Sequence, residues 1–89
     1  MSHLTDQKPK LLARVRRLKG QIEAIERSIE ADNDCTEVLH LLASVRGAMN
    51  GLTSELIEDH VREHVLARDG AARAKGAEDL IQVIRTYLK

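Results

Sequence analysis

Leu11, Val15, Leu18, Ile22, Ile25 and Ile29 recur in alternating steps of four and three, and this rhythm constrains the fold more than any other feature of the chain. A period of 3.5 residues draws an apolar line along one side of an α-helix, and such a line must be laid against another helix. Val38, Leu42, Val45, Met49, Leu52 and Leu56 repeat the rhythm. No stretch alternates with a period of two, so no strand is expected. Phe and Trp are missing and Tyr87 stands alone, which leaves Leu, Ile, Val and Ala to fill the core. The expected fold class is all-α, with three helices in a single domain covering residues 1–89. Three thin helices in 89 residues bury little surface, so oligomerisation is the expected route to stability. Paired seams then predict antiparallel helices in a four-helix-bundle dimer.

Boundary signals divide the chain into helices. Thr5 or Asp6 can cap a first helix, with Pro9 in its first turn. Ala31-Asp32-Asn33-Asp34 ends it, and Asp34 with Glu37 three residues later resembles a capping box for the next. The second helix is expected from about Cys35 to about Arg68. Ala43, Ser44, Gly47 and Gly51 form a small-residue face on it, suited to a second close helix contact. Gly70 and Gly76 bracket an expected loop from Asp69 to Gly76. Leu80, Ile81, Val83, Ile84 and Leu88 mark a short third helix.

The formal net charge is zero, but the charges are segregated. Lys8, Lys10, Arg14, Arg16, Arg17 and Lys19 follow one another with no acid between them, whereas acids dominate from Glu23 to Glu37. A concentrated basic run suits a polyanionic partner, although a solvated helix face gives the same pattern. No apolar run approaches the length of a membrane span, and no apolar leader opens the chain. One cysteine excludes an intrachain disulfide. A cytoplasmic protein with no membrane partner is expected.

The chemistry concentrates in His3, Cys35, His60 and His64. His60 and His64 are spaced i, i+4, so both imidazoles project from one helix face. Stepping round the same helix by 100° per residue places them roughly 20° to either side of Cys35. Cys35 and His60 are nevertheless about 37 Å apart along a continuous helix. One chain cannot close a site from these residues. Two antiparallel chains can, with Cys35 of one subunit meeting His60 and His64 of the other across a two-fold axis. Taken singly, each residue has an ordinary explanation: a small apolar cysteine, surface histidines, a tail residue. His40 has no partner in this pattern. The run His60-Val-Arg-Glu-His64 also matches the H-x-x-E-H order of inverted zinc peptidases, but a third ligand, a cleft and a larger scaffold are missing. Glu63 is better placed to orient a ligand histidine. There is no phosphate loop and no nucleophile–base–acid set, so an enzyme is not expected.

Arg14-Val-Arg-Arg-Leu-Lys-Gly20-Gln21, the Cys35 turn, Val45-Arg-Gly-Ala-Met-Asn-Gly51-Leu52 and Arg85-Thr-Tyr-Leu-Lys89 together resemble the CsoR/RcnR/FrmR family of bacterial repressors. The resemblance covers almost the whole chain. It implies an all-helical dimer of dimers that binds double-stranded operator DNA and is released by an effector. The pattern His3, Cys35, His60, His64 resembles the nickel/cobalt branch (RcnR and DmeR), in which the amine exposed by removing Met1, here that of Ser2, is a further ligand. The copper branch has cysteine at the His64 position and lacks the His3 ligand. The formaldehyde branch typically has proline where Ser2 stands and a non-ligand at the His64 position. Formaldehyde sensing through Cys35 and the terminal amine stays as the alternative. The donor set points the same way on its own chemistry. One thiolate, several imidazoles and an amine are nitrogen-rich. They suit nickel(II) or cobalt(II), with zinc(II) possible on four of them, whereas copper(I) favours more sulfur. Arg14, Arg16, Arg17 and Lys19 are the expected DNA contacts, reading phosphates and groove shape.

Overall fold

The computed structural model describes residues 7–88. Three α-helices follow one another: α1 (Lys8–Glu30), α2 (Cys35–Val61) and α3 (Gly70–Tyr87). A π-helical turn, Arg62–Leu66, prolongs α2. No strand occurs among the described residues. The chain groups into two compact units, one reaching to Thr53 and the other beginning at Ser54.

The first unit is a helical hairpin. Thr5 and Asp6, the expected caps of α1, lie outside the described residues. Gln7 occupies the cap position without a side-chain bond, and Pro9 sits in the first turn. The other end of α1 closes as a Schellman motif. Asp32 adopts a left-handed conformation (φ 56°). Its amide donates to the Ile29 carbonyl at 3.1 Å, and that of Asn33 donates to the Ser28 carbonyl at 3.0 Å. Asn33 Nδ2 adds a bond to Ser28 Oγ at 3.1 Å. Asp34 caps α2 by accepting from the Thr36 amide at 2.9 Å. This turn folds α2 back antiparallel to α1: Gln21 Nε2 donates to Ser44 Oγ at 3.2 Å, and the Arg14 guanidinium reaches Gly51.

Each expected seam divides into two lines in the hairpin. On α1, Leu11 and Leu18 are buried and Ile25 is half-buried, together with Arg14, Gln21 and Ser28. Val15, Ile22 and Ile29 remain 46%, 55% and 59% exposed. On α2 the covered residues are Val38, Leu41, Val45, Ala48 and Leu52, while Leu42 and Met49 are exposed. The hairpin buries one line of each seam and completes the contact with the polar or small neighbours on its other side. The second apolar line is left on the surface. Two of the four small residues on α2, Ser44 and Gly51, contact α1 within the hairpin rather than standing open as a face for a further helix.

In the second unit, α2 passes into the π turn and α3 begins at Gly70. The expected loop from Asp69 to Gly76 is therefore corrected: helix replaces it after residue 69. Gly70 carries φ +53°, the sharp entry to α3 that marks the break. Gly76 lies inside α3 and is buried, because close helix approach, not chain reversal, requires it there. Arg73 closes the junction by donating from Nε to the carbonyls of Val65 (3.2 Å) and Arg68 (2.8 Å). A cation thus meets carbonyls that the end of a helix leaves without partners. Ile81, Val83, Ile84 and Tyr87 of α3 are exposed, as is Leu88 just after it.

Candidate metal centre and basic face

His60 stands in the last turn of α2 and His64 in the π turn, both half-buried. Their ring centroids lie 4.9 Å apart with planes tilted by 36°. An ion about 2.0–2.1 Å from one nitrogen of each ring would separate the centroids by roughly 5 Å, a spacing that the two rings match. A π-helical turn takes an extra residue per turn and recurs at functional sites. Here it carries His64.

Gly76 of α3 underlies both histidines. Its carbonyl oxygen lies 2.8 Å from His60 Nε2. A carbonyl only accepts, so Nε2 holds the proton in this bond and Nδ1 is the lone-pair nitrogen of the neutral ring. Metal-binding histidines usually have their other nitrogen fixed in this way. A Cβ on Gly76 would overlap the main-chain carbonyl of His64. Contact this close lets the α3 carbonyl reach His60. Sequence reasoning missed Gly76 because a glycine among polar residues reads as a chain breaker, and only helix packing reveals its role.

Cys35 is the first residue of α2 and is exposed, directly after the capping Asp34. It repeats at seven-residue intervals with Leu42 and Met49, on the apolar line that the hairpin leaves open. Glu63 is exposed, and its carbonyl accepts from Arg68 Nε at 3.1 Å. Ser2 and His3 lie outside the described residues. The structure brings His60 and His64 together, and among the described residues no cluster of three or more His, Cys, Asp or Glu could hold a metal ion. Asp59 beside them is buried, with Oδ1 3.7 Å from Arg62 Nη1.

The basic run lies on α1. Arg16, Arg17 and Lys19 are exposed, and Arg14 is half-buried against Gly51. Arg14 and Arg17 line a shallow cleft of about 180 Å³ with Leu18 and Ala48. No helix among the described residues is long and apolar enough to cross a membrane.

Comparison with known proteins places these features in context. Residues 7–86 match the family model described as metal-sensitive transcriptional repressor. The chain is 50% identical, over the full length of both, to a protein of Serratia marcescens encoded in the bioA 5′ region. It is 36% identical, again over both full lengths, to the transcriptional repressor RcnR of Salmonella arizonae. Among solved structures it resembles a variant of the formaldehyde-responsive regulator FrmR from Salmonella enterica serovar Typhimurium in which histidine replaces a glutamate. That match has a TM-score of 0.82 and 38% identity, and covers 97% of this chain and 99% of the other.

Proposed function

The chain belongs to the metal-sensitive transcriptional repressor family, and from that premise we propose that it is a nickel(II)- or cobalt(II)-responsive repressor. In this reading the metal-free oligomer binds operator DNA, and metal uptake releases it. The observation that carries the reading is the His60–His64 pair at 4.9 Å, with His60 Nε2 held by the Gly76 carbonyl. The donors would be Cys35 of one subunit with His60 and His64 of another, joined by His3 and the Ser2 amine. Such a set is nitrogen-rich and large enough for five or six ligands, which nickel and cobalt tolerate and structural zinc rarely does. Zinc could still take four of the donors.

Oligomerisation is supported by what one chain leaves uncovered. Only Leu11 and Leu18 are buried apolar side chains among the described residues, while Val15, Ile22, Ile29, Leu42 and Met49 stay exposed. Fully burying one such side chain is worth about 1.5–3 kcal/mol. A second copy laid on this line would cover it in a four-helix bundle, and Cys35 lies on the same line. Two such dimers would form the tetramer.

The bound ion would supply charge and a fixed coordination geometry. The chain's own residues turn that into a DNA response. With Nε2 held by α3, His60 would turn Nδ1 to the ion, and Glu63 would orient a histidine ring. α1 bears Arg14, Arg16, Arg17 and Lys19, and Ser2 and His3 stand a few residues before it in the sequence. Drawing them in would move the basic face and change its spacing on the phosphates. Allosteric coupling of about 1–3 kcal/mol is typical.

The deciding experiment is a DNA-binding titration with nickel, cobalt, zinc, copper(I) and formaldehyde side by side. Release by nickel or cobalt at the lowest concentrations supports the reading; affinity indifferent to both overturns it. A second reading, formaldehyde sensing, draws on the likeness to the FrmR variant and on the exposure of Cys35. The thiol and the terminal amine would condense with one formaldehyde to a methylene bridge, releasing water. Mass spectrometry would register one added carbon per bridge.

A further inference from the structure

Arg14 and Gly51 form a matched pair. A Cβ built on Gly51 would lie 2.9 Å from Arg14 Nη2, whereas Gly47, one turn earlier on α2, has no atom within 4 Å of the same position. Glycine inside a helix weakens it relative to alanine. At position 51 the missing methyl lets the Arg14 guanidinium approach α2 more closely than a Cβ would allow. Only the tip of a flexible side chain stands in the way there, so the fold itself does not require glycine.

The position of Arg14 gives that space a use. Arg16, Arg17 and Lys19 extend into solvent, while Arg14 alone among them is half-buried. Arg14 and Arg17, at i and i+3, line the same cleft with Leu18 and Ala48. Both residues thus border one surface of the hairpin. An arginine already held by packing loses less freedom on meeting a phosphate than a free one, and its planar fork suits phosphate oxygens.

We propose that Gly51 is a positioning residue for DNA binding: the missing Cβ seats the Arg14 guanidinium beside Arg17, so that the two receive one backbone phosphate. This rests on the DNA-binding reading above. Substituting Gly51→Ala strengthens α2 and displaces the Arg14 tip, so stability and DNA affinity move in opposite directions. A merely structural glycine would move both the same way.

The test uses the full-length, metal-free protein and a fluorescent DNA duplex of mixed sequence, with anisotropy read across a range of NaCl concentrations. The wild type, Arg14→Ala, Gly51→Ala and the double variant complete a cycle. The expected result is a higher melting temperature for Gly51→Ala, affinity weaker by about tenfold, and no further loss when Gly51→Ala is added to Arg14→Ala. The slope of log affinity against log salt becomes shallower by about 0.9 for each phosphate that is no longer neutralised. Unchanged affinity in Gly51→Ala while Arg14→Ala weakens binding overturns the inference alone. So does an equal loss in the Arg14→Ala background, or unfolding of Gly51→Ala. Failure of the wild type to bind, or indifference to Arg14→Ala, counts instead against the DNA-binding assignment of this face.

Discussion

Substituting Gly76→Ala should destabilise the protein even though alanine is the better helix former. A Cβ at this position overlaps the main-chain carbonyl oxygen of His64, lies 2.7 Å from its carbonyl carbon and 3.0 Å from its Cβ. Main chain cannot swing aside as a side chain can, so α3 must retreat from the π turn by about 1.5 Å to reach ordinary contact. The same retreat stretches the 2.8 Å bond from His60 Nε2 to the Gly76 carbonyl beyond hydrogen-bond range. Overpacking costs about 1–3 kcal/mol, and the broken bond adds about 0.5–1.5 kcal/mol. The propensity gain of about 1 kcal/mol offsets part of this. A net loss of about 1–3 kcal/mol should lower the melting temperature by roughly 5–20 °C. Thermal unfolding followed by circular dichroism, at one fixed chain concentration, measures it. Gly20→Ala, where nothing lies within 4 Å, is the control and should melt slightly higher than the wild type. Long-range nitrogen–proton NMR spectra of the His60 ring supply the second readout: the Nε2–H form should dominate in the wild type and lose its preference in Gly76→Ala. A Gly76→Ala protein that melts at or above the wild-type temperature and keeps the tautomer would refute the reasoning.

Other outcomes follow from single residues. Asp32→Gly should stabilise by up to about 1–2 kcal/mol, because Asp32 holds a left-handed conformation at φ 56° that costs a residue bearing a Cβ; denaturant unfolding checks this. Asp34→Ala should cost about 0.5–2 kcal/mol by removing the cap on the Thr36 amide. It should also weaken metal binding, measured by competition with a chromophoric chelator, since the capped turn fixes Cys35. Ile22→Glu, at a site 55% exposed in the single chain, should shift the sedimentation profile from oligomer towards monomer; an unchanged profile would place the subunit interface elsewhere. Cys35→Ala should remain bound to DNA at nickel concentrations that release the wild type, as read by gel shift.

What the sequence made legible depended on whether one helix or two decided the matter. The i, i+4 spacing of His60 and His64 needs only one helix, and the paired rings follow from it directly. The end of α1 and the start of α2 were equally local, since Asp32-Asn33-Asp34 supplies both a left-handed stop and a cap. The seam was legible as a period but not as a partition. Val15, Ile22 and Ile29 are as apolar as Leu11, Leu18 and Ile25, and nothing in a period of 3.5 says which line an antiparallel hairpin covers. Its partner helix decides, by placing Ser44 opposite Gln21 and Gly51 beneath Arg14. The loop assigned to residues 69–76 failed for a related reason. Gly70 is a glycine of the break, with positive φ, while Gly76 is a glycine of contact, and the two are identical when read one residue at a time. The π turn has no local signature at all.

The partition bears on how a chain with so little core can respond to an ion. A hairpin that covered both apolar lines by itself would have no reason to associate, and Cys35, at the head of the open line, would gain no neighbour. Arg14, Gln21 and Ser28 line the covered side of α1, and the apolar line stays exposed. Arg14 also ties the inner face of the hairpin to the basic surface through Gly51. The exposed apolar line thus leads to Cys35, while the contact that closes the hairpin leads to the arginines of α1. Both run along the same two helices, so a shift of α1 against α2 must disturb the basic residues and the exposed apolar line together. In a molecule of this size the two contacts cannot be tuned separately, because both depend on the same packing of α1 on α2.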